Sequence, residues 1–206
     1  MAIIHQATIN PTKDQLVEPW LESRPWWDGV AERGPVGTFR FDDPAGEVGM
    51  ECFLFGSADG STLFVPLTYR GAALPGAEAH LLGTMEHSVL GTRWIYDACV
   101  DPVFVAVVVD TIRTGGTGAE LEVHRSDGSV ERREPTATVR GNGATDLPVV
   151  PTDAVAEAEE SSDRTVIRAG DLSLTIARRV GADLPGDARL TGSFAGGDDL
   201  VLATVS

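Results

Sequence analysis

From Leu63 to Ile112 the chain reads first as a strand with a proline near its middle and last as a strongly apolar helix. The helical half constrains the fold most. Asp101-Pro102 sets a capping carboxylate before a proline suited to the first helical position, and Gly115-Gly116 offers a stop. These signals predict a helix from about Pro102 to Arg113. Its valine-rich content is mediocre for helix propensity and good for burial, so such a helix stands only if the rest of the chain packs around it. A strand over Phe104–Val109 is the competing reading of the same residues.

The remainder supplies mainly strands. Ala2–Ile9 reads as one, and Thr12 is placed to cap a helix over Lys13–Ser23 that Pro19 would kink or delay. Val36–Asp42 and Glu47–Gly56 follow, joined by the turn Asp43-Pro44-Ala45-Gly46. In the second of these, Val48, Met50, Cys52 and Leu54 alternate against Gly49, Glu51, Phe53 and Phe55, which suggests a central strand covered on both faces. Asp59-Gly60 signals a hairpin into Thr62–Tyr69, where Pro66 argues for an edge or a bulge. Further strands are predicted over Leu81–Glu86, Thr92–Tyr96, the hairpin Ala119–Arg125 and Ser129–Arg133, and Thr136–Arg140.

Gly141–Ser162 is poor in apolar residues, with only Leu147, Val149 and Val150 as a short strand candidate, and carries the acidic run Ala156–Glu160. Beyond it stand four strand candidates: Arg164–Ala169, Leu172–Arg178, Ala188–Ala195 and Asp198–Val205. The expected class is α+β: a curved antiparallel sheet with two main helices in residues 1–150, then a small antiparallel β unit in 151–206.

Sixteen basic against thirty-one acidic residues give a net charge of -15, a field that argues against nucleic acid or an anionic membrane surface as partner. The longest apolar run, Val103–Val109, is too short to span a bilayer, and the start of the chain lacks a basic segment followed by a long apolar one. Cys52 and Cys99 have no metal-binding spacing and read as buried thiols, consistent with a cytoplasmic protein. Phosphate-cradling loops, zinc motifs and nucleophile elbows are not found, so neither cofactor nor metal is expected.

Polar and aromatic residues nevertheless crowd the Leu63–Ile112 stretch. Glu86-His87 with Asp97 sets a carboxylate beside an imidazole, with Arg93 and Tyr96 near in sequence, a combination suited to proton transfer. The bland reading of the same groups is a buried network in which Asp97 caps the turn before the helix. Arg70, after Tyr69, could bind an anion or pair with one of the surplus carboxylates, and Trp26-Trp27 beside Arg24 could stack on a sugar or, buried, anchor the first helix. Trp26, Trp27, Tyr69, Arg70, Glu86, His87, Arg93, Tyr96 and Asp97 are thus the candidate ligand-binding set, with no residue assigned a catalytic role.

Val65-Pro66-Leu67-Thr68-Tyr69, then Trp94-Ile95-Tyr96-Asp97-Ala98, then Asp101-Pro102-Val103-Phe104 resemble, in order and spacing, the N-terminal cap domain of actinobacterial maltokinases and related sugar kinases. The Trp20–Trp27 segment fits the same pattern. Glu159-Glu160-Ser161-Ser162 and Leu174-Thr175-Ile176-Ala177-Arg178-Arg179 resemble the start of the kinase N-lobe that follows the cap, with Thr175 where those enzymes carry a nucleotide-binding lysine. A neutral hydroxyl cannot neutralise phosphate charge. The residues up to Ser206 also leave no room for a catalytic lobe. The resemblance therefore implies a non-catalytic cap-like module with an interaction or regulatory role, partnered by a protein of α-glucan or trehalose metabolism or by a second copy of itself. A small carbohydrate-binding or carbohydrate-acting protein built on the candidate set is the alternative.

Overall fold

The computed structural model describes residues 1–29, 34–154 and 156–206. Its strands run in chain order as β1 (Ala2–His5), β2 (Ile9–Asn10), β3 (Gly37–Phe41), β4 (Gly49–Gly56), β5 (Thr62–Arg70), β6 (Leu81–His87), β7 (Gly91–Asp97) and β8 (Leu121–His124). They continue as β9 (Val130–Arg133), β10 (Thr138–Gly141), β11 (Glu157–Glu160), β12 (Arg164–Ala169), β13 (Leu172–Ala177), β14 (Arg179–Val180), β15 (Ala188–Phe194) and β16 (Gly197–Val205). Two helices, α1 (Lys13–Leu21) and α2 (Pro102–Thr114), complete an α+β fold that is mostly β.

The helix reading of the valine-rich segment prevails over the strand reading. Asp101 accepts from the Val103 N–H, Pro102 opens the helix, and Gly115 closes it in the left-handed region at φ 69°. Phe104, Val105, Val108, Val109 and Ile112 are all buried in the main core, so α2 is apolar nearly all round because it is enclosed nearly all round. The end of β10 crosses α2 so closely that a Cβ at Gly141 would stand 2.0 Å from the Thr111 carbonyl oxygen. Only glycine permits that approach.

α1 opens on a capping box in which Thr12 Oγ1 accepts from the Gln15 N–H and Gln15 Oε1 accepts from the Thr12 N–H. It contains Pro19 and ends at Leu21, where Ser23 turns the chain by donating its backbone N–H and its hydroxyl to the Trp20 carbonyl. Its buried face, Val17, Trp20 and Leu21, packs on Phe53, Leu63, Val65, Leu67, Met85 and Ile95.

The strands form three sheets. A curled antiparallel sheet has the order β2-β6-β7-β5-β4-β3, with β14 added against the start of β5. A six-stranded sheet runs β10-β15-β16-β13-β12-β11, and β1 pairs in parallel with the β8–β9 hairpin. One face of the first sheet carries α1; the other shares a core with α2 and the six-stranded sheet. That core includes Phe39, Cys52 and Phe64 together with Ile167, Leu174, Leu190 and Leu202, so stretches 1–150 and 151–206 contribute to it jointly. Cys52 and Cys99 are free and buried within it.

Three expectations are corrected. β5 is a central strand, not an edge, and no bulge is needed at Pro66: β4 pairs along its whole length, while on the other side β14 stops at Leu63 and β7 begins at Leu67. Phe64 donates across to the Arg178 carbonyl on that second side, and alternation points the Pro66 nitrogen the same way, into the gap between the two partners. The missing donor falls where no acceptor waits. Ala2–Ile9 is broken into β1 and the separate β2, and no strand forms at Leu147–Val150, whereas the acidic Glu157–Glu160 does form one against β12.

Candidate functional site

The candidate residues separate into two places. The first is a buried seam where β7 and β14 flank the gap beside Pro66. Arg178 is fully buried; its Nη2 pairs with Asp97, its Nε donates to Thr165 Oγ1 at 2.7 Å, and its guanidinium lies 4.9 Å from the Trp26 ring centre. Trp26, also fully buried, donates its indole N–H to Glu160 at 3.0 Å, and Arg24 reaches the other oxygen of the same carboxylate at 3.1 Å. Burial works against the Arg178 charge, and Asp97 and Glu160 outweigh it, holding its pKa above the ordinary arginine value. Asp97 also accepts from the Cys99 N–H, the capping role of the bland reading.

Nearby groups are similarly spent. Arg70 pairs with both oxygens of the buried Asp101 at 2.8 Å, and the buried Tyr96 hydroxyl accepts from the Leu74 N–H at 2.9 Å. Trp27 is half-buried against the α1 core. Glu86 is exposed and accepts from Thr92 Oγ1. His87 and Asp97 lie at opposite ends of the β6–β7 hairpin, since His87 faces Gly91 across the ladder while Leu81 faces Tyr96. The convergence that a carbohydrate site on the full set requires is therefore not formed.

The second place is an open cleft of about 700 Å³ on the α1-side face of the curled sheet, beside the first turn of α1 and bordered by β1. Tyr69, His87 and Arg93 of the candidate set line it. Alternation brings them to one face. Arg40 faces Glu51 and Glu51 faces Leu67; Tyr69, two residues on, faces Ile95, while Arg93 faces Met85, with His87 two residues beyond. The sequence reading missed Lys13, Arg40, Glu51 and His5, which line the same cleft. The available signal was Glu51, a carboxylate within the otherwise apolar Met50–Phe55.

Glu51 is held between two cations: Lys13 pairs with one oxygen and Arg40 reaches the other at 3.0 Å. Burial opposes its ionisation, and Arg40 and Lys13 together outweigh that, lowering its pKa below the usual carboxylate range. The ammonium of Lys13 also stands 5.5 Å over the Tyr69 ring. The Tyr69 hydroxyl is buried beside the Glu51 carboxylate and completes no hydrogen bond of ordinary geometry among the described residues; burial, then the Glu51 charge, push its pKa well above the ordinary tyrosine value, so it stays protonated.

His87 Nδ1 accepts from the Val89 and Leu90 N–H groups at 3.2 and 3.1 Å, which leaves the proton of the neutral ring on Nε2. Burial, then His5 and Arg93, lower its pKa and favour that neutral form. His5 packs edge-on between His87 and His124, 6.1 and 6.0 Å between ring centres. Among the described residues no group of His, Cys, Asp and Glu is arranged to hold a metal.

The fold and seam thus define an α+β module whose named polar signatures mostly serve its own cohesion. Residues 20–101 match the family model of the maltokinase N-terminal cap domain, so the chain carries a cap-like domain of that description. A comparison with curated proteins finds no match. The matched residues run from the end of α1 through β3–β7 to the α2 cap, and Asp97 within them meets Arg178 from outside them.

Proposed function

We propose that the chain is a non-catalytic cap-like module that interacts with, and regulates, a sugar kinase or another enzyme of α-glucan or trehalose metabolism. The observation that carries this reading is the cap-domain match over residues 20–101, whose buried charged groups Asp97 and Asp101 are committed to structural ion pairs. Thr175, at the position the kinase resemblance would give to a lysine, is buried within β13 with Thr204 of β16 as its cross-strand partner. That placement favours a binding role over nucleotide chemistry. No helix among the described residues is long and apolar enough to cross a membrane.

The test is reconstitution of the purified protein with a purified maltokinase-type kinase. Sedimentation velocity and kinase rate are read together at micromolar concentration. A stoichiometric complex with an altered rate supports the reading; two components that sediment separately, with the rate unchanged, count against it.

A further inference from the structure

The seam and the cleft differ in what their polar atoms still have to give. At the seam one buried donor, Arg178 Nη1, is unmatched among the described residues, but it is fully enclosed and out of a ligand's reach. In the cleft Glu51, the carboxylate beside Tyr69, has both oxygens taken by Lys13 and Arg40. The unused functions there are donors: the buried Tyr69 hydroxyl, the buried Arg93 Nε–H and the Nε2–H of His87. Arg93 spends Nη2 on the Leu90 carbonyl at 2.7 Å, and among the described residues no carboxylate pairs with it. Asp42, Asp43 and Glu47 also line the cleft, at the β3–β4 turn, where Asp43 is occupied by the N–H groups of Ala45, Glu47 and Val48. The donor-rich end is therefore the Tyr69–Arg93–His87 side.

A buried donor without an acceptor is costly, and a ligand that supplies the acceptor recovers that cost. The size of the cleft falls in the range of small-molecule sites. Ile4, Ile9 and Met85 add apolar lining. We infer that the cleft binds a small organic carboxylate with an apolar chain, the acid group meeting Tyr69 and Arg93 with His87 alongside, and the chain lying against those aliphatic side chains. This goes beyond the cap-module reading and stands whether or not a kinase partner exists.

Hexanoate is the probe, with hexanamide and inorganic phosphate as controls, each titrated into the full chain while the histidine ring protons are followed by NMR. The expected result is a saturable shift of the His87 signal by hexanoate with a Kd on the order of 1 mM, ordinary for so small a ligand. Hexanamide is expected to bind at least about tenfold more weakly, because it lacks the charge. Tyr69→Phe and Arg93→Gln are each expected to weaken hexanoate about threefold to tenfold, the effect of one lost hydrogen bond. Equal binding of hexanamide, binding of phosphate in preference to hexanoate, or no shift by about 10 mM hexanoate each overturns the assignment. So does unaltered hexanoate affinity in a folded Tyr69→Phe protein.

Discussion

Arg178 and Lys13 each meet a carboxylate on the same curled sheet, yet the two ion pairs serve opposite ends. At the seam, Arg178 and Asp97 are both enclosed, and Thr165, Trp26, Glu160 and Arg24 extend their contacts. At the cleft, Lys13 is one-third exposed, Glu51 is shared with Arg40, and the neighbouring Tyr69 hydroxyl and Arg93 Nε remain without partners. An enclosed charge cluster contributes cohesion even with Arg178 Nη1 unmatched, because nothing reaches it; one whose unmatched donors border an open cleft is available to a ligand. Sequence proximity alone cannot separate the two, because Arg93 of the cleft and Asp97 of the seam are four residues apart on one strand.

The largest effect is expected at the seam. Arg178→Met leaves Asp97 buried and unpaired, and equilibrium denaturation should show a loss of about 3–5 kcal/mol. A loss below about 1 kcal/mol, the range of exposed pairs, would erase the contrast between the regions. Trp26→Phe removes the indole donor from Glu160 and some packed volume; a loss of about 2 kcal/mol is expected in the same assay.

Glu51→Gln tests the cleft pair. With its folded pKa below the unfolded value of about 4.3, Glu51 contributes stability above that pH and loses it as pH falls through the lower folded pKa. The stability gap between wild type and Glu51→Gln should therefore be widest near neutrality and close on acidification below about pH 4. A gap that widens in acid would reverse the assigned sign. The smallest effect is expected from Tyr69→Phe, within about 1 kcal/mol of wild type and on the stabilising side if the unpartnered hydroxyl is a net cost.

Local signals made much of the fold legible. Asp101-Pro102 and Gly115 bracket α2, the Thr12–Gln15 box opens α1, and Asp59-Gly60 and Asp127-Gly128 mark turns where hairpins form. Non-local pairings were not legible. Thr138–Gly141 joins β15 across a separation of about fifty residues, and nothing in four residues of a short strand names that partner. Glu157–Glu160 has the composition of a solvated run; its strand state comes from the ladder with β12 and from the Arg24 and Trp26 contacts to Glu160.

The site was legible to the extent that alternation carries it. Tyr69, Arg93 and His87 face the same way once the hairpins are paired. Lys13, Arg40 and Glu51 sit on three separate elements, and only the folded sheet shows them to be one cluster. Asp97 looked like a proton-transfer partner because His87 was near in sequence, whereas its actual partner, Arg178, is 81 positions away.

The most direct test of the division between seam and cleft is a pair of double-mutant cycles read by denaturant unfolding, one on Arg178 and Asp97, the other on Lys13 and Glu51. The predicted coupling is about 2–4 kcal/mol for the seam pair and about 1 kcal/mol or less for the cleft pair. Equal couplings, or a stronger one in the cleft, would contradict the account.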